Sequence, residues 1–371
     1  MRKVFLIVSF VAFLTACSST DDSGTKGGDG FNRTALLTHW ADNIIIPAVH
    51  EYHASTALFA SRVMAFHDNP TEGSLVDMQD SWVNAYTAYQ KVMLFNIGKA
   101  AEINFKEATN TYPTDVVGIE QNIANGGYNL ELLSQFSKQG FPAYDYLING
   151  LGSSNAEIVS FYTTNANPAG YKAYLKALNV RLLALANAIK TDWDGAYRET
   201  FIASNGTAVS SSTNQMTNLF VKNFEKDIRT GKIGIASGVF SNGTLFPEKV
   251  EGFYKKNISK MLLNTAIQSQ QDFFNGKAFN GTATGPSLKS YLDDVKAVRN
   301  GQNLSDIINN QFETIYNTNA TLNDNFSQQI NTDNSKMIAA YDALQQNVVY
   351  FKLDMMQALN ITIDYVDGDG D

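Results

Sequence analysis

From residue 31 onward, apolar side chains recur at steps of three and four, the spacing that lays them along one face of a helix. Leu75, Met78, Trp82, Ala85, Tyr89 and Val92 draw one such stripe, and Tyr171, Tyr174, Leu175, Leu178, Leu182, Leu185 and Ile189 draw another. The pattern predicts further long helices over residues 32–66, 249–274 and 335–359, with Pro47 kinking or breaking the first of them. Strand-like alternation is scarce, so the predicted fold class is all-α. Gly-, Asn- and Ser-rich joints separate the helices at residues 110–127, 150–155, 204–214, 231–244 and 275–286. The longest break, over 193–214, places a boundary between two helical-bundle subdomains, residues 31–203 and 204–371.

The first thirty residues follow a different logic. Arg2 and Lys3 precede an apolar run from Val4 to Leu14 that is far too short to span a bilayer. It reads as a signal peptide over residues 1–17, ending in Leu14, Thr15, Ala16 and Cys17, the arrangement of a lipobox. Cys17, the single cysteine of the chain, is then the lipid-bearing first residue of an exported lipoprotein. Residues 18–30 carry Ser, Asp and Gly and no apolar stretch, and are expected to form a flexible tether. Asp21 and Asp22 resemble the acidic export signal of surface lipoproteins in the Bacteroidetes, and Ser18 after the cysteine argues against inner-membrane retention. The expected location is the outer membrane, facing the periplasm or the cell exterior.

Removing these segments leaves roughly 340 residues, long for one hydrophobic core. A net charge of −8 with no basic stripe argues against nucleic acid as a partner. With no thiol after Cys17, the folded body holds no disulfide and no thiolate metal site. The four histidines, His39, His50, His53 and His67, all lie early, so later segments must work without imidazole.

Several segments invite a chemical reading. His50 and His53 sit three apart on one helical face beside Glu51, which offers part of a metal site, although the spacing is not HExxH. Asp115 and Glu120 flank Gly118, and Asp145 follows Gly140, each set beside a glycine-containing turn. Carboxylates there commonly cap helices, yet Tyr112, Phe141, Tyr144 and Tyr146 also suit a pocket wall. Residues 232–238 (KIGIASG) are glycine-spaced but lack the ending of a phosphate-binding loop. The tail from Asp364 to Asp371 imitates the start of a calcium loop without its bidentate glutamate.

Taken in order along one lipoprotein, several of these pieces resemble the imelysin-like family of bacterial envelope proteins. They are residues 81–89 (SWVNAYTAY), Tyr112-Pro113, Gly118 to Glu120, 140–147, 232–238, 247–254 (PEKVEGFY) and the stretch from Lys352 to Asp369. The last three match a Bacteroidetes branch. The resemblance implies two helical bundles related by duplication, with a functional cleft between them. It also implies one of two activities: a metal-dependent peptidase, or a part in iron acquisition. The family signature is GxHxxE, whose histidine and glutamate are the presumed metal ligands. Gly140, Pro142 and Asp145 occupy those positions here, and proline has no ligating side-chain atom.

These readings lead to a non-catalytic lipoprotein that binds a small ligand or metal ion, iron before zinc, in iron or other nutrient uptake. Tyr112, Asp115, Glu120, Gly140, Pro142, Tyr144 and Asp145 are the expected cleft residues, and an outer-membrane uptake protein is the expected partner. Two alternatives stand beside it: a metal-dependent peptidase built on His50 and His53, and a structural or adhesive surface protein.

Overall fold

The computed structural model describes residues 30–365, so the signal peptide, Cys17, most of the tether and the acidic tail beyond Tyr365 lie outside the described residues. The protein is all-α. Among the described residues the one small sheet is a two-stranded ribbon that pairs Val298 with Asn303 and Arg299 with Gln302. Among the described residues, no helix is long and apolar enough to cross a membrane.

The helix expected over 32–66 runs as Arg33–His39, a wider π turn Trp40–Ile45, and Ile46–Asp68. Pro47 explains the middle piece. Proline has no N–H and crowds the carbonyl four residues before it, here that of Asn43. The amide of Phe279 donates to that orphaned carbonyl at 2.8 Å, so the defect becomes a tertiary contact between distant segments. Glu72–Val92 begins at a reciprocal cap in which Thr71 accepts from the Ser74 amide and Ser74 from the Thr71 amide.

Three expectations need correction. The joint at 110–127 contains a helix, Val116–Asn125, which Asp115 caps and Gly126, at φ +64°, ends. The helix expected from 249 starts only at Ser259, because Gly252 and Lys256 both take positive φ and turn the chain on the way. The glycine-spaced joint at 231–244 begins inside a wide π-helical segment, Asn223–Gly234.

In the first half, Ile46–Asp68 packs between Glu72–Val92 and Pro168–Asp194. In the second, Ser335–Val349 packs against Asn223–Gly234 and Leu304–Asn319. Ser259–Asn275 touches both Glu72–Val92 and Asn223–Gly234 and so joins the halves. Its Phe273 ring meets Trp40 at 4.7 Å and Phe95 at 5.8 Å on one side, and Phe220 at 6.0 Å on the other. The apolar core is therefore continuous past residue 203.

Candidate functional site

The segment that matches the family signature sits where helices of the two halves meet. Gly140 opens the short helix Gly140–Asp145 at φ +73°, and a Cβ there would lie 2.1 Å from the Thr109 carbonyl oxygen. Only glycine meets both conditions. Phe141 stacks on Tyr86 at 4.6 Å, and its carbonyl accepts from the Trp82 indole at 3.3 Å. Pro142 falls in the first turn of this helix, where an amide donor has no partner within the helix in any case.

Asp145, at the end of that helix, is 3% exposed. Its Oδ2 accepts from the Tyr254 amide at 2.9 Å, and its Oδ1 accepts from the Lys255 amide at 2.8 Å and the Asn149 side chain at 3.1 Å. Burial pushes its carboxyl up to about 7, against the opposing pull of these donors. Asp145 thus ties the signature helix to the turn that follows Val250.

Behind this contact lies a buried polar network. Lys232 (2% exposed) pairs with Glu251 (3% exposed), and the Lys232 ammonium also donates to Gln90 at 2.8 Å. The Gln90 amide donates to Glu251 at 3.1 Å, Asn110 donates to Glu251 at 2.8 Å, and Tyr86 donates to Asn110. Its five members come from four segments, Tyr86 and Gln90 sharing the Glu72–Val92 helix, so the network fixes four segments at once.

Two recesses open in front of it, sharing Tyr112 and Pro113. The smaller, about 120 Å³, is lined by Pro142, Asp145, Glu248 and Tyr254. The larger, about 490 Å³, presents Lys106, Lys226 and Lys249 beside Glu107 and Asp227, with Asn110 and Tyr89 in its walls. Lys106 reaches Asp227 at 3.0 Å, and although burial opposes it, that carboxylate raises the Lys106 pKa.

The expected cleft residues divide between two settings. Tyr112, Pro142 and Asp145 line these recesses, and Gly140 sets the helix that brings them there. Asp115, Glu120 and Tyr144 do not join them. Asp115 accepts from the Gly118 amide at 2.9 Å as a helix cap. Glu120 accepts from the phenols of Tyr146 and Tyr171, each at 2.7 Å. The ring of Tyr144 turns into the core, edge-on to Phe59 at 4.7 Å. The two histidines also part company: His50 meets Asp194 and His53 meets Asn187, each at 2.6 Å.

The signature metal does not fit this arrangement. The Pro142 side chain offers no donor atom and its carbonyl accepts from the Tyr146 amide, and both Asp145 oxygens already accept backbone hydrogen bonds. Among the described residues, no three His, Cys, Asp or Glu side chains are grouped to hold an ion. Sequence reasoning missed Gln90, Asn110, Lys232, Glu248, Glu251 and Tyr254. Lys232, Glu248, Glu251 and Tyr254 do lie within segments 232–238 and 247–254, noted for other reasons, but the pairing of Lys232 with Glu251 across the fold leaves no local trace.

The family model described as Imelysin matches residues 45–350. An imelysin-like protein from Psychrobacter arcticum 273-4 is 17% identical, with a TM-score of 0.69 over 90% of this chain and 97% of its own. A candidate iron-regulated protein A precursor from Parabacteroides distasonis ATCC 8503 is also 17% identical, with a TM-score of 0.67 over 89% of this chain and 97% of its own. At that identity the two structures establish the fold. No curated protein matches. Because the family model spans more than half of its length, the chain belongs to the imelysin family.

Proposed function

We propose that this protein is an exported lipoprotein that binds a ligand in the paired recesses around Tyr112, in iron or other nutrient uptake, and does not catalyse a reaction. The observation that carries the reading is the state of the signature helix. Pro142 and Asp145 are committed to building the junction, while the 490 Å³ recess beside them keeps polar and charged walls. Pockets of this size and mixed lining suit a small molecule. The iron-regulated description of one structural relative is consistent with this direction.

The chemistry of the recess favours a wrapped ion over a bare one. A naked ferric ion calls for several converging oxygen donors, whereas three lysines against two carboxylates, with Lys106 already paired to Asp227, give the recess an excess of positive charge that suits an iron complex whose carrier is anionic. Equilibrium dialysis of the full chain against radiolabelled ferric citrate should therefore give saturable binding. Thr111→Trp, which puts a large ring into the larger recess, should weaken it about tenfold, the loss of roughly 1.4 kcal/mol of contact energy. Absence of binding, or cleavage of a peptide library that a chelator stops, would overturn the reading.

The anchor has its own test. The proposed attachment is lipid on Cys17, so Cys17→Ala should move the protein from the membrane fraction to the soluble fraction. A variant that stays with the membrane would remove the lipoprotein assignment.

A further inference from the structure

We propose that the protein holds a second ligand site, separate from the recesses around Tyr112, which takes a small uncharged aromatic molecule. At the end of the Glu72–Val92 helix and the turn after it, Tyr89 and Met93 face the first recess, while Lys91 and Phe95 face another cavity of about 480 Å³. Its apolar wall is built by Ile44, Ala48, Phe95, Met261 and Phe279. These come from both halves of the chain, and the cavity falls within the size range of small-molecule sites.

The charges at its rim decide the ligand class. Lys91 meets Glu51 at 2.6 Å, and Asn280 donates to the second Glu51 oxygen at 2.6 Å. Burial opposes ionisation of Glu51, but those two hydrogen bonds and the ammonium charge hold its pKa below the usual value. Lys277 meets Asp272 at 3.4 Å, and Gln268 donates to the same Asp272 oxygen at 2.9 Å. Each cation thus has its own carboxylate. A charged ligand would break one of these pairs or sit beside a charge already matched, whereas a neutral ring disturbs neither.

The aromatic preference comes chiefly from Phe279, since ring-on-ring contact adds to simple burial; the Lys91 ammonium lies 5.2 Å from that ring's centre, and Phe95, 3% exposed, closes part of the wall. The Phe279 loop is held in place before any ligand arrives. Its amide is bonded to the Asn43 carbonyl at 2.8 Å, Lys277 pairs with Thr284 in a β-bridge, and His39 bonds the Gly276 carbonyl at 2.7 Å. A wall already ordered loses little entropy on binding.

The test titrates the full chain with N-phenyl-1-naphthylamine, an uncharged fluorescent aromatic, and with its anionic counterpart 8-anilinonaphthalene-1-sulfonate. The neutral dye should bind at one saturable site, and the sulfonate at least about fivefold more weakly. Thr265→Trp, which fills the cavity, and Phe279→Ala, which removes its ring, should each weaken the neutral dye about tenfold. Thr111→Trp, in the other recess, should leave it within about twofold, which separates this site from ferric citrate binding. Far-ultraviolet circular dichroism checks that each variant folds, and Phe279→Ala carries the test if Thr265→Trp does not. Equal binding of the two dyes, no saturable binding, or binding indifferent to both cavity variants would overturn the proposal.

Discussion

Glu251→Ala should lower the unfolding free energy by roughly 3–5 kcal/mol, the usual consequence of leaving one member of a buried ion pair alone. Lys232 would keep an ammonium at 2% exposure with only Gln90 as an acceptor. Asn110 and Gln90 would each lose the oxygen they donate to. The double variant Lys232→Met with Glu251→Leu removes both charges and restores bulk, so it should recover at least about half of the loss, because apolar replacements of buried pairs are often neutral. Recovery stays incomplete, since Asn110 and Gln90 still lack their partner. Urea unfolding of the four proteins in a double-mutant cycle measures the coupling directly. A Glu251→Ala variant within about 1 kcal/mol of the parent would mean that the pair is far better hydrated than its burial implies.

Asp145→Ala should destabilise the protein by about 2–3 kcal/mol at pH 7, since two backbone N–H groups lose their acceptor in a dry setting. The deficit should also depend on pH in a definite direction. Burial raises the Asp145 pKa from 3.8 to about 7, so the folded state binds a proton that the unfolded state has released. Its protonation therefore contributes stability that is fully present below 3.8 and is lost as pH rises through 7. Alanine does not titrate. The difference between parent and variant should accordingly be larger at pH 5 than at pH 8, by on the order of 2 kcal/mol, given about 1.4 kcal/mol for each pH unit within the window. Urea midpoints of both proteins at the two pH values provide the measurement. A gap that widens at pH 8 would show that the backbone donors, and not burial, dominate the carboxyl.

Helix type and position were legible wherever one face meets one partner. Glu72–Val92 and Pro168–Asp194 follow their apolar stripes closely because each has one dominant partner, Ile46–Asp68. The spans expected over 32–66 and 335–359 also hold, but the change of period inside them was not read. A π turn adds a residue and rotates the following face, so Trp40–Ile45 and Tyr350–Met355 blur a stripe that continues beyond them. The turn before Ser259 looked helical because Val250, Phe253 and Tyr254 stand at helical spacing, yet Gly252 and Lys256 bend the backbone the other way.

For the site, chemistry was visible and direction was not. Pro142 could be recognised as unable to hold a metal from its identity alone. That Glu120 serves two phenols and Tyr144 faces Phe59 depends on which way each helix is turned, a tertiary fact. The Lys232–Glu251 pair was harder still, since single charged residues in a sequence more often mark a wetted surface.

The two amides at Tyr254 and Lys255 converge on one carboxylate in the manner of a small anion nest. Here the guest is part of the chain itself. The acidic position of the signature has its oxygens turned toward an internal host, and the turn after Val250 is the receptor for which Asp145 is the tethered ligand. Any motion that draws the Gly140–Asp145 helix away would leave behind a cradle shaped for a carboxylate-sized anion.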